Sequence, residues 1–251
     1  MSDLALDRAI GEIRGERRRS WSTSRLAGAA VLAAWAVLFW FLLLSGRDAL
    51  YLSTRTAWVV PVGAVLLTGA SVGRLASART RTPAPMTLRE AWALAFMVVP
   101  VVLVLALPPA TLGSFSAGKR AGFASAGIAT SAGDAGTGAI SLIDVAAAQT
   151  TKEGETALAG RAGENVDLVG FVVRYADTPA DELLLTRYIV TCCVADATVA
   201  QVRVVNVQPG AFSANQWVDV KGAIYPLGRE IIVNASSVVA VPRPEHPYLT
   251  P

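Results

Sequence analysis

Cys192 and Cys193 are the two cysteines of the chain, and they are adjacent, in the segment Arg187-Tyr188-Ile189-Val190-Thr191-Cys192-Cys193-Val194-Ala195-Asp196-Ala197. Neighbouring Cα atoms lie about 3.8 Å apart across a trans peptide, whereas a disulfide wants about 4.4–6.8 Å, so the pair is ill suited to stapling a fold. Three roles stay open. The thiols can pack as small buried apolar groups. They can bind a soft or borderline ion such as zinc or copper as thiolates, with the Asp196 carboxylate as a further ligand. They can also take part in redox chemistry, including a strained vicinal disulfide, which an oxidising exterior favours. On a flat strand the two side chains point to opposite faces and cannot share an ion; a bulge or turn at this point brings both to one side.

Other ligands are scarce. His246 is the single histidine and sits in the C-terminal tail, where it reads as a solvated residue. A closed four-ligand zinc site needs partners that the surrounding sequence does not supply; a partner subunit could complete it. The chain has no Gly-rich phosphate loop, no HExxH and no Gly-x-Ser-x-Gly elbow, so no catalytic residue and no enzymatic activity are expected. Asp144, Asp196 and Arg187 are the charged residues that merit inspection, each with a structural role as its plainer reading.

The rest of the chain reads as a device for holding this pair outside a membrane. Of 251 residues 53% are hydrophobic and 16% charged, with mean hydropathy +0.47, against about 25% charged in soluble domains. Residues 26–44 form a run of nineteen without a polar side chain, close to the roughly 20 needed to cross the hydrocarbon. Three transmembrane helices are expected, over about 26–45, 56–73 and 91–112. Six arginines precede the first span, two lie in the next loop and four in the one after. That bias places the basic tail, residues 1–25, in the cytoplasm and everything after the third span outside, in a multi-pass protein of the cell membrane. The basic cluster Arg17-Arg18-Arg19 fits a headgroup surface.

Residues 113–138 are dominated by Gly, Ala and Ser. With the polar stretch up to 160 they read as a linker, interrupted by a short helix near 141–148 that Ser141 caps with Asp144 in support. Residues 161–251 change character. Val166, Leu168, Gly170 and Val172 alternate, as do 201–204 and 217–221, and further apolar runs cover 183–190, 231–233 and 238–241. Five or six short strands in about ninety residues predict a small all-β barrel of the oligonucleotide/oligosaccharide-binding (OB) type, with Gly170 and Gly222 at bent positions. From residue 160 onwards seven basic residues face nine acidic ones. That balance argues against a nucleic-acid partner, which calls for a basic groove with stacking aromatics.

Several segments together resemble a known family: Pro108-Pro109-Ala110-Thr111-Leu112-Gly113-Ser114, residues 163–172, the Thr191-Cys192-Cys193 core with Ala195-Asp196-Ala197, residues 217–222, and the terminal Pro247-Tyr248-Leu249-Thr250-Pro251. The chain resembles the bacterial YcgQ-like family of two-component permease subunits from its first span onwards. Arg187, Thr191, Cys192, Cys193, Asp196 and Ala197 match that family's core. The resemblance implies an accessory membrane subunit of a larger permease, without established enzymatic activity. Some members carry a histidine-rich loop between the second and third spans; here that loop, residues 73–90, has no histidine. The rival expectation is a stand-alone, membrane-anchored protein that handles a metal or thiols.

Overall fold

The computed structural model describes residues 20–80, 85–107, 112–120, 138–227 and 230–250. Most of the basic tail, the Pro108-Pro109 step and residues 121–137 of the Gly/Ala/Ser stretch lie outside the described residues. The chain forms two compact units, Met1–Asp48 with Trp58–Pro109, and Ala49–Ala57 with Ala110–Pro251.

The first unit contains helices α1 (Thr23–Ser45), α2 (Val59–Ala76) and α3 (Leu88–Ala106), each long and apolar enough to cross a membrane. Their boundaries follow local chemistry. α3 starts at Leu88, three residues before the expected span, because Thr87 and Glu90 form a reciprocal capping box. It ends at Ala106 rather than 112, with Leu107 extended (φ −83°, ψ 139°) ahead of Pro108, as the residue before a proline must be. α2 starts at Val59 rather than 56 because residues 49–57 belong to the other unit. Polar side chains tie the helices together. Trp40 Nε1 donates to Thr68 Oγ1 (3.2 Å), Ser71 Oγ to the Ala29 carbonyl (3.1 Å), and Trp35 Nε1 to the Met97 carbonyl (2.9 Å). The last lies next to the Phe96 carbonyl, which loses its helical donor because Pro100 has no N–H. Arg25 donates to the Ser77 carbonyl (2.7 Å), and residues Ser20–Trp21 pair with Arg79–Thr80.

The second unit is a closed five-stranded barrel: β1 (Asn165–Val173), β2 (Leu183–Ile189), β3 (Thr198–Val205), β4 (Trp217–Leu227) and β5 (Glu230–Ala240). The order β1-β2-β3-β5-β4 closes by pairing β4 with β1; only β3 and β5 are parallel. This is the expected three-helix-plus-barrel architecture. Alternating positions of β4 (Val218, Val220, Ile224) and β5 (Ile231, Val233) fill the interior with Leu168, Leu185, Val202 and Val204. The second half of β1, residues 170–173, is buried on both sides and loses the alternation. Its outer face joins an aromatic cluster in which Phe171 stacks on Tyr188 (5.7 Å between centroids) and meets Trp217, while Tyr188 meets Tyr248 edge-on.

The stretch expected to be a linker is largely helical where it is described. α4 (Ser114–Arg120) buries Ala117 in the aromatic cluster. α5 (Leu142–Thr150) and α6 (Lys152–Ala159) form a hairpin whose Val145, Ala146, Ala148 and Leu158 join the barrel core. Small residues that read as flexible filler instead let these helices approach closely: a Cβ on Gly154 would stand 2.6 Å from the Ala147 carbonyl carbon. Ser141 and Asp144 cap α5 reciprocally, with Ser141 N–H donating to Asp144 (2.7 Å).

Two predictions follow from the β1–β4–β5 face. The register of β4 shifts between Lys221 and Gly222, where a Cβ would collide with the Asn234 backbone and come within 2.9 Å of Ala235 Cα. Gly222→Ala is expected to cost about 1–3 kcal/mol, read as a lowered Tm of the purified protein. On the same face burial, then the neighbouring Asp167, pushes the Asp219 carboxyl up, while hydrogen bonds from Asp219 and Lys221 hold Asp167 down. One Asp219 oxygen is buried without a protein partner. A carboxyl whose folded pKa is raised weakens the fold once it is charged. Asp219→Asn is therefore expected to raise Tm slightly at pH 7, with the gain disappearing as pH falls towards the unfolded carboxylate range.

Candidate metal centre

β2 ends at Ile189 and a single 3-10 turn occupies Val194–Asp196, so the cysteines lie in the turn between β2 and β3 rather than on a strand. The alternation that would separate them is thereby avoided. Cys192 Sγ and Cys193 Sγ are 3.7 Å apart, Cys192 exposed and Cys193 half-buried, both as free thiols. The buried-hydrophobe role does not fit an exposed Cys192. Together with an Asp196 carboxylate oxygen the two sulfurs lie within 4.8 Å of one another, the one cluster among the described residues with three metal-ligating side chains.

Asp196 shapes this turn. Its carboxylate accepts from the N–H of Thr191 (3.0 Å), Cys192 (2.8 Å) and Cys193 (3.5 Å). In return the Asp196 N–H donates to the Cys193 carbonyl (3.0 Å) and closes the turn. Burial works against the charge on Asp196. It is outweighed by hydrogen bonds from the Cys192 thiol and the three amides, so the carboxyl sits below its ordinary range. The Cys192 thiol is pushed up to about 11, first by its hydrogen bond to Asp196 and then by its contact with Cys193. At neutral pH Cys192 is a protonated thiol, and a metal ion must displace that proton.

The carbonyls of the turn are held from a distant part of the sequence. Ser53 Oγ donates to the Thr191 carbonyl (2.8 Å); Thr56 Oγ1 (2.6 Å) and Ser53 N–H (3.2 Å) donate to that of Cys192. The Val194 N–H donates back to the Tyr51 carbonyl (2.9 Å). Residues 51–56, between α1 and α2, are thus part of the site. The sequence reading missed them and put Thr56 inside a span. Their one legible signal is the polar run Ser53-Thr54-Arg55-Thr56 between apolar helices.

The remaining motif residues support the turn. Arg187 donates from Nε to the Pro247 carbonyl (3.1 Å) and from Nη2 to that of His246 (2.8 Å), with its guanidinium over Trp217. The tail it fixes adds to β2: Leu249 N–H donates to the Tyr188 carbonyl and Val190 N–H to that of Leu249. Ala197 is buried in the aromatic cluster. His246 is exposed and serves through its backbone carbonyl; it is not part of the thiol cluster. Asp144 caps α5 and is likewise no member of it.

Removing the carboxylate's influence should free the thiol. In a Cys193→Ser background, Asp196→Asn is expected to speed alkylation of Cys192 at pH 8 by roughly tenfold. The thiolate fraction rises as the pKa falls, partly offset by lower intrinsic nucleophilicity. An unchanged rate would show that Asp196 does not hold the Cys192 proton.

A search of curated proteins finds no match. Residues 133–251, from before α5 through the barrel and the thiol turn to the C-terminus, match the DUF1980 C-terminal domain.

Proposed function

We propose that this is a membrane-anchored accessory subunit of a transport system, whose barrel offers a dithiol site to a soft metal ion such as zinc or copper. The observation that carries the metal reading is the placement of both sulfurs on one side of the turn, 3.7 Å apart, beside Asp196. The permease association draws on the YcgQ-like resemblance. It is supported by the spans themselves: residues 26–45, 59–73 and 91–106 contain no ionisable side chain. A pathway for a polar solute normally requires such groups, so transport would fall to a larger partner permease.

The orientation we infer is a cytoplasmic N-terminus in the cell membrane with the barrel outside. The arginine bias supports it, and so does the joining of residues 49–57 and the barrel in one compact unit. Three crossings put those two segments on the same side. Neither catalysis nor nucleic-acid binding belongs to this reading. Two of the barrel aromatics, Phe171 (3% exposed) and Tyr188 (1% exposed), are covered by the chain's own α4 and tail.

Metal analysis of the full-length protein in mild detergent tests the site. About one zinc or copper per chain is expected, absent after Cys192→Ser with Cys193→Ser. A protein that takes up neither metal and keeps two reactive thiols overturns it. Co-purification with a co-expressed permease separates the accessory role from the stand-alone one.

A further inference from the structure

We infer that the ion taken by this turn is a tetrahedral divalent ion of the zinc class, held by Cys192, Cys193 and Asp196, with its fourth position open to the ligand of a donor or acceptor. This rests on the dithiol reading above and adds the ion, the third ligand and the exchange.

The sulfur separation discriminates between ions. Two thiolates at about 2.3 Å from a tetrahedral ion lie about 3.8 Å apart. The thiols stand at 3.7 Å without an ion. A two-coordinate ion such as copper(I) needs its sulfurs on opposite sides, about 4.6 Å apart at the same bond length. Opening the pair that far would pull on a turn whose carbonyls at Thr191 and Cys192 are held by Ser53 and Thr56. The turn is built for the narrower bite.

Asp196 has room for the ion. An ionised carboxylate has about four lone-pair sites. Here three accept the amides of Thr191, Cys192 and Cys193, which leaves about one for an ion. Two metal–sulfur bonds form as two thiol protons leave to solvent, with no change of oxidation state. Two thiolates and one carboxylate then leave a tetrahedral ion one ligand short. Cys192 is exposed, so the missing ligand can come from outside. Such a site passes an ion on by ligand exchange.

The test is a titration of the full-length protein in detergent micelles with Co²⁺ as the spectroscopic probe, followed by displacement with Zn²⁺ and a parallel titration with Cu(I). The expected result is one Co²⁺ per chain, with a sulfur-to-cobalt charge-transfer band and the intense visible band of four-coordination, both abolished by one equivalent of Zn²⁺. Release of two protons should weaken apparent affinity roughly 100-fold for each pH unit lowered near neutrality. Asp196→Asn should weaken Zn²⁺ by more than the roughly 10–100-fold typical of losing an outer partner, and should shift the visible band. Ser53→Ala loosens the turn without touching a ligand and should cost far less. Equal losses in the two variants would make Asp196 a holder of the turn alone and overturn its role as ligand. Uptake of Cu(I) with none of Co²⁺ or Zn²⁺ would overturn the inference while leaving the dithiol reading intact. Failure of all three metals would remove both.

Discussion

Past Ile189 the chain leaves the barrel ladder, and the backbone of the next five residues has no strand to bond to. Buried or half-buried amides left without partners are costly, so the shape of this turn is decided by where its hydrogen bonds go. All five N–H groups find an acceptor. The N–H of Val190 goes to Leu249, those of Thr191, Cys192 and Cys193 to Asp196, and that of Val194 to Tyr51. The carbonyls of Thr191 and Cys192 are met by Ser53 and Thr56, and that of Cys193 by the Asp196 N–H. Asp196 is the centre of this arrangement. Its bonds are charge-assisted and roughly twice as strong as neutral ones, and no neutral side chain could accept as many amides at once.

The rest of the second unit exists around that turn. The closed barrel fixes the end of β2 and the start of β3, and with them the two ends of the turn. Arg187 ties down residues 246–247, which carry Leu249 alongside β2, and Tyr248 reaches the Leu50 carbonyl (3.1 Å). Thr54 and Thr250 meet at 3.1 Å, so the loop between the first two helices and the tail brace each other as well as the turn. The aromatic cluster of Phe171, Tyr188, Trp217 and Tyr248 provides the apolar floor on which the tail rests. An OB-type barrel commonly binds its ligand on such a face. Here the chain covers that face itself, and the thiol pair lies beyond it, in the turn between β2 and β3.

How much of this was legible depends on the range of each interaction. The three apolar runs and the alternation in β4 and β5 report local burial, which a sequence displays directly; so does the Ser141–Asp144 cap, whose partners are three residues apart. The helices α4 and α6 escaped notice because their residues, Ser-Phe-Ser-Ala-Gly-Lys-Arg and Lys-Glu-Gly-Glu-Thr-Ala-Leu-Ala, have weak helical signals. Packing on the barrel, through Ala117 and Leu158, decides their state, as tertiary context often does. The thiols and Asp196 were visible as a group because they lie within five residues. Ser53 and Thr56 were not, since their bonds to the turn span 138 and 136 residues. Two hydroxyls in a short loop carry no mark of the carbonyls they will meet.

Adjacent cysteines also set what kind of metal chemistry is available. Ligands two or more residues apart can enclose an ion from several sides, as in closed structural zinc sites. Two neighbouring residues can offer only one edge, and here that edge faces outwards with Cys192 exposed. A carboxylate already engaged with three amides adds one ligand and cannot swing round the ion. The Cys192 thiol, pushed up to about 11, sets a further condition on the proposed site, because an ion would have to displace its proton. Proton and metal compete for one small, stiff edge. Such competition would weaken binding as it made release easy, the balance the proposed site needs if it hands its ion on rather than keeps it.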